Sequence, residues 1–477
     1  MSHYPNPFDF VPFPSAPILR TEDEFDNLGE KLSGYLEIEI KALTPVHVMG
    51  RVEDGATERK SSFFRHSGLP CIPASTIKGC LRAFTEALTA GWVSRANTNY
   101  PKELGKRHVG FNAFESYDPK RGKRRISPPA IDPAFKPKAN FDKLDVATYL
   151  FGTVIEGKPT EYEVQSRKSK VWVEDAYLPL EAITFKEDWW APDIGGGAFM
   201  GGAKPSASNW WYFEPARVWK RNLPGHAPVT EFVGEKFRGR KFYFHQNPVE
   251  CIQKYDPKNG EWIYPENKFH QSTFHRVRLE CMAQGKTTLR FRIYLDGVPQ
   301  PLFQLLKNII QPGEHIRHKL GYAKAYGYGS IEFTIKSANL RPFGFGIPEA
   351  LELRDLSAVN WNVESLAKYE VADFIDQRAL AWLARILGWP RKNLPFMYPQ
   401  YMTLDPRTKK LKQPKPIEYS EYKHRIKSKM TVFSPMTVTT KDSRIIAKAL
   451  WDLKQSIDFR LYQEKAIGWD IIEGRVP

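Results

Sequence analysis

Apolar and polar side chains alternate in the first clear element of the chain. Leu36, Ile38 and Ile40 are separated by charged residues, which gives a period of two. That period is typical of a β-strand with one buried face, so it predicts a strand over residues 36–48. The polar residues that follow predict a loop over 49–62.

A helical period follows the proline-flanked segment LPCIPAS. The predicted helix begins at Ser75, whose hydroxyl is expected to cap it, and ends at about residue 88. Its apolar face is outlined by residues at i, i+4, i+7 and i+11, namely Ile77, Leu81, Phe84 and Leu88.

The same two periods predict the later elements of the chain. Alternating residues favour strands, whereas apolar residues three and four apart favour helices. The predicted strands lie around Val171 and Val173 and over 275–283, 286–297 and 331–335, and the predicted helices lie over 303–310 and over an amphipathic stretch that ends near Gly388.

The order of these elements predicts an α+β fold. It matches the β-α-β-β-α-β order of a ferredoxin-like fold with long connections. The open sheet face of such a core is a known platform for single-stranded RNA. We expect an extended Pro/Phe arm over 1–35, a core over 36–345 with large insertions at 93–145 and 185–270, and a C-terminal mixed helical extension over 346–477.

Composition narrows the classes of function. The chain has 477 residues, of which 42% are hydrophobic, and this excludes wholesale disorder. Lys and Arg number 70 against 54 Asp and Glu, which gives a net charge of +16. Such a basic excess indicates a polyanionic partner, above all nucleic acid, with solubility alone as the alternative.

The sequence shows no targeting signal and no cysteine framework. The N-terminal residues lack the basic and apolar regions of a signal peptide, and no run of 18 apolar residues predicts a membrane span. The four cysteines form no C-x-x-C pair and are too scattered for a disulfide framework. We therefore expect a cytoplasmic protein without a membrane partner.

The start of the first helix is a candidate phosphate-binding corner. Lys78 and Arg82 are four residues apart and should project from one helix face, near the N–H groups of the helix start. Gly79 leaves that face bare enough for another backbone to approach. A solvated basic face on an ordinary helix is the alternative interpretation.

The loop HKLGYAKAYGYGS is a second candidate. Its glycines permit positive φ angles and close approach of a ligand backbone, and its three tyrosines are suited to stack on bases. A glycine-rich turn between a helix and a strand is the alternative. The candidate RNA contacts in this loop are His318, Lys319, Gly321, Lys324, Gly327 and Gly329.

Two further segments carry candidate chemistry. FRGRKFYFHQ interleaves Arg238, Arg240 and Lys241 with aromatic rings, which on a strand predicts an RNA-contact strip or a plain surface strand.

In the loop after the first strand, Asp54 and Glu58 are suited to hold Mg²⁺ against a scissile phosphate, with Asp54 as metal ligand. A solvated acidic loop is the alternative there.

Several motifs together resemble one known family. TPVHVMG, an acidic loop and GLPCIPASTIKGCLRAF resemble the N-terminal signature of the RAMP superfamily of CRISPR-associated proteins, and HKLGYAKAYGYGS resembles its C-terminal glycine-rich loop. The arm NPFDFVPFP and the segment FRGRKFYFHQ resemble a large RAMP subfamily associated with type III systems. The resemblance covers about residues 4–340.

The resemblance implies an RRM-like core and a place in a CRISPR ribonucleoprotein. Guide RNA, target RNA and other effector subunits are the implied partners. The residues that match the family's guide-backbone contacts are Ser75, Lys78 and Arg82 in the helix and Gly321, Lys324, Gly327 and Gly329 in the loop.

Target cleavage by this chain is less clearly implied. Relatives that cut target RNA carry a metal-dependent aspartate in the loop after the first strand, but the matching position here falls near residues 58–60, and Asp54 is the nearest aspartate. A structural RNA-binding subunit of a type III effector is therefore the leading hypothesis. The alternatives are a catalytic subunit that uses Mg²⁺ and a metal-independent endonuclease of CRISPR transcripts with a histidine as acid or base.

Overall fold

The computed structural model describes most of the predicted core and parts of the predicted insertions and C-terminal extension. The described residues are 8–54, 59–94, 114–118, 123–127, 131–155, 166–192, 217–221, 229–233, 237, 239–246, 254–256, 261–263, 276–285, 288–313, 315–342, 354–355, 372–389, 401–403 and 437–439.

The described elements are mostly strands. They are β1 (Phe8–Val11), β2 (Lys31–Ala42), β3 (Met49–Asp54), β4 (Arg59–Phe63), β5 (Arg65–His66), β6 (Leu69–Ile72), β7 (Phe114–Asp118), β8 (Lys123–Ser127), β9 (Thr153–Val154), β10 (Ser166–Arg167), β11 (Val171–Val173), β12 (Ala176–Tyr177), β13 (Ile183–Pro192), β14 (Arg217–Arg221), β15 (Val229–Val233), β16 (Arg240–Tyr243), β17 (Lys254–Asp256), β18 (Glu261–Ile263), β19 (Arg276–Met282), β20 (Thr288–Pro299), β21 (His318–Lys319), β22 (Ser330–Pro342), β23 (Arg354–Asp355), β24 (Tyr401–Thr403) and β25 (Thr437–Thr439). The α-helices are α1 (Glu22–Asp26), α2 (Ala74–Leu88), α3 (Val146–Phe151), α4 (Gln300–Ile310) and α5 (Gln377–Ile386).

The central sheet has β2 in its middle. Its strand order is β11-β20-β2-β22-β21, and β2 runs antiparallel to both of its neighbours. In chain order, β2, α2, β11, β20, α4 and β22 give the β-α-β-β-α-β sequence of elements. Their spatial order, with the first strand between the third and the fourth, is that of a ferredoxin-like sheet, so the predicted α+β fold is confirmed.

One face of this sheet forms the main core. Leu36, Ile38 and Ile40 have no exposed surface, as the alternation predicts. The apolar face of α2 packs in the same cluster through residues that include Ile77 and Leu81, and α4 joins it. Because the helices pack on the face that bears Leu36, the alternate residues of β2 lie on the opposite face.

The predicted loop over 49–62 is wrong, since β3 and β4 pair there in an antiparallel hairpin. The hairpin belongs to a second sheet of order β13-β19-β4-β3, in which β4 runs parallel to β19. Most side chains of β3 are exposed, so no hydrophobic alternation marks the strand. Its pairing with β4, which in turn pairs with β19, uses backbone groups, and the side-chain pattern does not show these.

The predicted strand over 36–48 also differs in its bounds. The strand begins earlier, at Lys31, and ends at Ala42. Residues 43–48 leave the sheet and bond to the loop before β22, where the N–H of Gly329 donates to the carbonyl of Pro45 over 2.9 Å. Proline cannot donate a ladder hydrogen bond, which fits the end of the strand here.

The N-terminal arm is clamped by its aromatic rings, as expected. Phe8 and Phe10 are 2% and 4% exposed, and β1 pairs antiparallel with β16.

In the described C-terminal part, α5 begins after the N-cap Asp376 and ends two residues before Gly388. No helix among the described residues is long and apolar enough to cross a membrane.

Candidate nucleic-acid interface

Three segments that are far apart in the chain meet in one groove of about 500 Å³. They are the first turns of α2, strand β16 and the loop that follows β21. The residues of this groove that matter below are Ser75, Gly79, Lys241, Tyr243, Tyr322 and Lys324. We call it the basic groove, since three lysines, including Lys319, and two tyrosines line a site bordered by a bare helix surface.

The helix surface in the basic groove is bare because Gly79 lies on the solvent side of α2. Ile77 and Leu81 face the core, so Ser75 and Gly79 are exposed. A Cβ atom at Gly79 would meet no heavy atom of the described chain within 4 Å. A ligand backbone can therefore approach the helix closely at this position.

The two predicted basic contacts of α2 are engaged within the protein. The Nζ of Lys78 donates to Ser169 Oγ over 2.8 Å, and burial lowers the pKa of this lysine. Arg82 pairs with Glu86 over 2.8 Å and also donates to the carbonyl of Gly152. Arg82 thus joins α2 to the end of α3, and its assignment as a guide contact stays a prediction. Lys78 stays a prediction.

The N-terminus of α2 is not a vacant phosphate site. The N–H of Ala74 donates to the carboxylate of Asp175 over 2.7 Å, and Pro73 rather than Ser75 is the N-cap. This hydrogen bond is the first cause of the lowered pKa of Asp175. A negative charge already placed at the positive end of the helix disfavours a phosphate there, and phosphate binding at the predicted corner stays a prediction.

The glycines of the loop before β22 serve the packing of the protein's own backbone. At Gly321 and Gly329, φ is +84° and +83°. A Cβ atom at these positions would collide with the carbonyl oxygens of His47 and Leu320, respectively. Gly327 has a φ of +92° and its carbonyl accepts from the Thr44 hydroxyl over 2.8 Å. Gly321 and Gly327 thus lie close to residues 43–48, whereas Gly329 lies close to Leu320 of its own loop. The assignment of these glycines as RNA contacts stays a prediction.

Most polar groups of this loop point inward. His318 is buried, and its Nε2 donates to the carbonyl of Ile309 over 2.7 Å. The Nζ of Lys319 donates to the carbonyl of Phe244 over 2.8 Å. Both side chains therefore hold the loop to the rest of the protein, and their assignment as RNA contacts stays a prediction. Lys324 is half-buried, and its Nζ donates to the carbonyl of Gly321 at the groove wall.

The tyrosines of the same loop divide between core and groove. Tyr326 and Tyr328 are 8% and 0% exposed, so they cannot stack on bases as the sequence suggested. The Tyr328 hydroxyl donates to the carbonyl of Trp190 over 3.0 Å. Tyr322 is half-buried and lines the basic groove.

Strand β16 contributes one cation to the groove and one to the core. The Nζ of Lys241 lies 4.6 Å from the ring centre of Phe8 and lines the groove. Arg240 instead lies against the Phe13 ring and donates to the carbonyls of Gly91 and Trp92, and its assignment as an RNA contact stays a prediction. Arg238 lies outside the described residues.

The predicted metal site is only partly within the described chain. Asp54 is the last residue of β3, whereas its side chain and the whole of Glu58 lie outside the described residues. Among the residues that are described, no group of three or more His, Cys, Asp or Glu side chains could hold a metal ion. Metal-dependent cleavage by Asp54 and Glu58 stays a prediction.

A histidine dyad beside α2 was missed by the sequence reasoning. His66 Nδ1 lies 3.0 Å from the Asp175 carboxylate and 3.0 Å from the Tyr177 hydroxyl. The His66 side chain is 58% exposed. With Nδ1–H donating to ionised Asp175, Nε2 faces outward as a proton acceptor. The partners lie 109 and 111 positions away in the sequence, so no local motif marks them.

Comparison with known proteins identifies the family. The model of the RAMP superfamily matches residues 39–332. The chain belongs to the RAMP superfamily. This confirms the resemblance carried by the helix-start and glycine-loop motifs. No curated protein sequence matches this RAMP protein. A chain of a solved structure titled "Type IV-B CRISPR Complex" is 13% identical to it, with a TM-score of 0.26, over 67% of this chain and 97% of that one.

Gly329→Ala should destabilise the protein by about 2 kcal/mol or more, because alanine must adopt a positive φ and displace the Leu320 carbonyl. The matched control is Gly79→Ala, which adds the same methyl group to a helix surface with space for it. That change should stabilise the protein by about 0.5–1 kcal/mol. Urea denaturation measures both values, and equal effects of the two substitutions would contradict the packing role of Gly329.

Stability should fall as the pH drops from about 6.5 towards 4. Burial lowers the pKa of His47 and of His318 to about 4, whereas the unfolded chain protonates histidine near 6.5. The unfolded state therefore binds more protons in this window, at a cost of about 1.4 kcal/mol per pH unit for each histidine. Urea denaturation at pH 4.5–7 measures this slope. A flat profile would show that neither histidine is held neutral.

Proposed function

We propose that this RAMP protein is an RNA-binding subunit of a type III CRISPR ribonucleoprotein effector. In this role it grips the guide RNA, positions target RNA and contacts other effector subunits in the cytoplasm. The observation that carries the proposal is the convergence of three distant segments in the basic groove. The family membership and the net charge of +16 support it.

The groove offers separate contacts for the two parts of a nucleotide. Lys241 and Lys324 place positive charge at its walls, which suits the phosphates. Tyr243 and Tyr322 present aromatic rings on which bases can stack. Gly79 lets the sugar-phosphate backbone lie against α2, within reach of the Ser75 hydroxyl. These contacts do not depend on the base sequence of the RNA, and a subunit that holds many different guides requires this.

Substitution at Gly79 tests the groove with little risk to the fold. Gly79→Glu should weaken binding of single-stranded RNA at least about tenfold, because it fills the groove and repels phosphates, each charge contact being worth on the order of 1 kcal/mol or more. Gly79→Gln has the same shape without the charge and should have a smaller effect, and Gly79→Ala should bind like the parent. Fluorescence anisotropy over a range of salt concentrations measures the affinity.

The proposal fails if Gly79→Glu binds RNA as tightly as the parent protein while thermal unfolding shows both to be folded. Lys241→Ala adds a second criterion. Loss of one phosphate contact should reduce the slope of log affinity against log salt by about 0.7 for single-stranded RNA.

A second candidate function, metal-independent cleavage of RNA, is favoured by the His66 dyad. In this reaction the 2′-OH attacks the adjacent phosphorus, His66 Nε2 accepts its proton, and the bond from phosphorus to the 5′ oxygen breaks. Water protonates that oxygen, which leaves a 2′,3′-cyclic phosphate and a 5′-OH. Asp175 would orient the ring and stabilise the imidazolium. Asp175 also accepts from the N–H of Ala74 at the start of α2, so the dyad adjoins the helix whose Ser75 lines the groove.

His66→Ala should slow RNA cleavage in EDTA by about 10²–10⁴-fold, the usual contribution of a general base. The RNA affinity should not change, since His66 does not line the groove. A substrate with 2′-deoxyribose at the cut site should resist the parent protein. Absence of cleavage by the full chain in EDTA, or equal rates for parent and variant, would reject this second function.

A further inference from the structure

The outer face of the central sheet carries a row of aromatic side chains. Leu36 faces the core, so its neighbour Tyr35 lies on the opposite face of β2. The strand register places Tyr35 beside Tyr294 of β20, and Tyr294 beside Trp172 of β11. We call these three residues the aromatic row. It runs across three adjacent strands on the face away from α2 and α4.

The rings of the row are accessible and held in position. Trp172 is 36% exposed, and Tyr35 and Tyr294 are partly exposed. The two tyrosine rings lie 6.1 Å apart, and the Tyr294 hydroxyl donates to Glu174 over 2.5 Å. Rings that are fixed by a sheet lose little freedom when a ligand binds them. The row is therefore organised in advance for stacking.

The charges around the row are balanced in pairs. Arg292 lies 4.6 Å from the ring centre of Tyr35 and pairs with Glu37 over 3.1 Å. Arg290 pairs with Glu39 over 3.7 Å. Cations and carboxylates alternate, so the face has little net attraction for phosphate. A ligand that fits it binds through flat, stackable groups and leaves its phosphates towards the solvent.

We propose that the aromatic row is a second RNA site, at which the bases of a single strand stack on Trp172, Tyr294 and Tyr35. Two or three bases stacked across adjacent strands match a row of this length. The alternating charged residues beside the rings suit a hydrated nucleic acid better than the apolar surface of a protein partner. This site is distinct from the basic groove, which lies beyond α2 on the other side of the sheet, and it does not rest on the function proposed for the groove.

The test uses the full-length protein with the groove altered by Gly79→Glu, so that binding at the sheet is measured separately. The probes are oligouridine RNA of about 12 nucleotides and an abasic strand with the same number of phosphates. Trp172→Ala should weaken oligouridine binding about tenfold, since base–aromatic stacking contributes on this scale. Trp172→Phe, which keeps a ring, should bind within about twofold of its parent, because every base can stack on either ring.

The abasic strand should bind more weakly than oligouridine and should not distinguish Trp172→Ala from Trp172→Phe. Equal affinity for the two strands, no measurable binding in the Gly79→Glu background, or equal affinity of the two Trp172 variants would overturn the site. Failure of the groove proposal has a different signature, because Gly79→Glu would then leave total RNA binding unchanged while Trp172→Ala still lowers it.

Discussion

The close backbone contact between residues 43–48 and the glycine-rich loop before β22 is the constraint on which the rest of the structure depends. This contact lies where the end of β2 meets the start of β22. These are the first and fourth strands of the ferredoxin-like order, and the contact extends their hydrogen bonding beyond β2. The contact is possible because Gly321 has no Cβ atom where the His47 carbonyl lies. Gly329, which donates its N–H to the Pro45 carbonyl, likewise has no Cβ atom where the Leu320 carbonyl of its own loop lies. The same contact places Tyr322 and Lys324 beside α2, and the basic groove is the result.

Internal hydrogen bonds and ion pairs fix the positions of several lysine and arginine side chains that the sequence offers as RNA contacts. Arg82 and Arg240 bind carbonyl oxygens and a carboxylate inside the protein, and Lys319 donates to a buried carbonyl. A buried cation without such a partner would destabilise the fold strongly, so these side chains are fixed in place. Lys241 and Lys324 also have internal partners, the Phe8 ring and the Gly321 carbonyl, but their side chains line the groove. The net charge of +16 is thus a poor guide to any one contact.

The fold could be predicted from the sequence where side chains record burial. Leu36, Ile38 and Ile40 alternate because one face of β2 is in the core, and the apolar face of α2 repeats with the helical period for the same reason. Strand β3 escaped detection because most of its side chains are exposed and it pairs with β4 through backbone groups. In the candidate site, the sequence identified the three segments that meet in the groove, but it did not show which of their side chains have partners inside the protein. His66 and Asp175 are brought together only by the fold.

Photocrosslinking from a single groove position tests the central claim most directly. A benzophenone amino acid at Ser75, which is exposed at the groove, should crosslink to bound single-stranded RNA. The same group at Val154, which is 76% exposed at another surface, should not. RNA crosslinked from position 75 and not from position 154 is the predicted result. Crosslinks from 154 alone, or equally from both positions, would contradict a guide-binding groove beside α2.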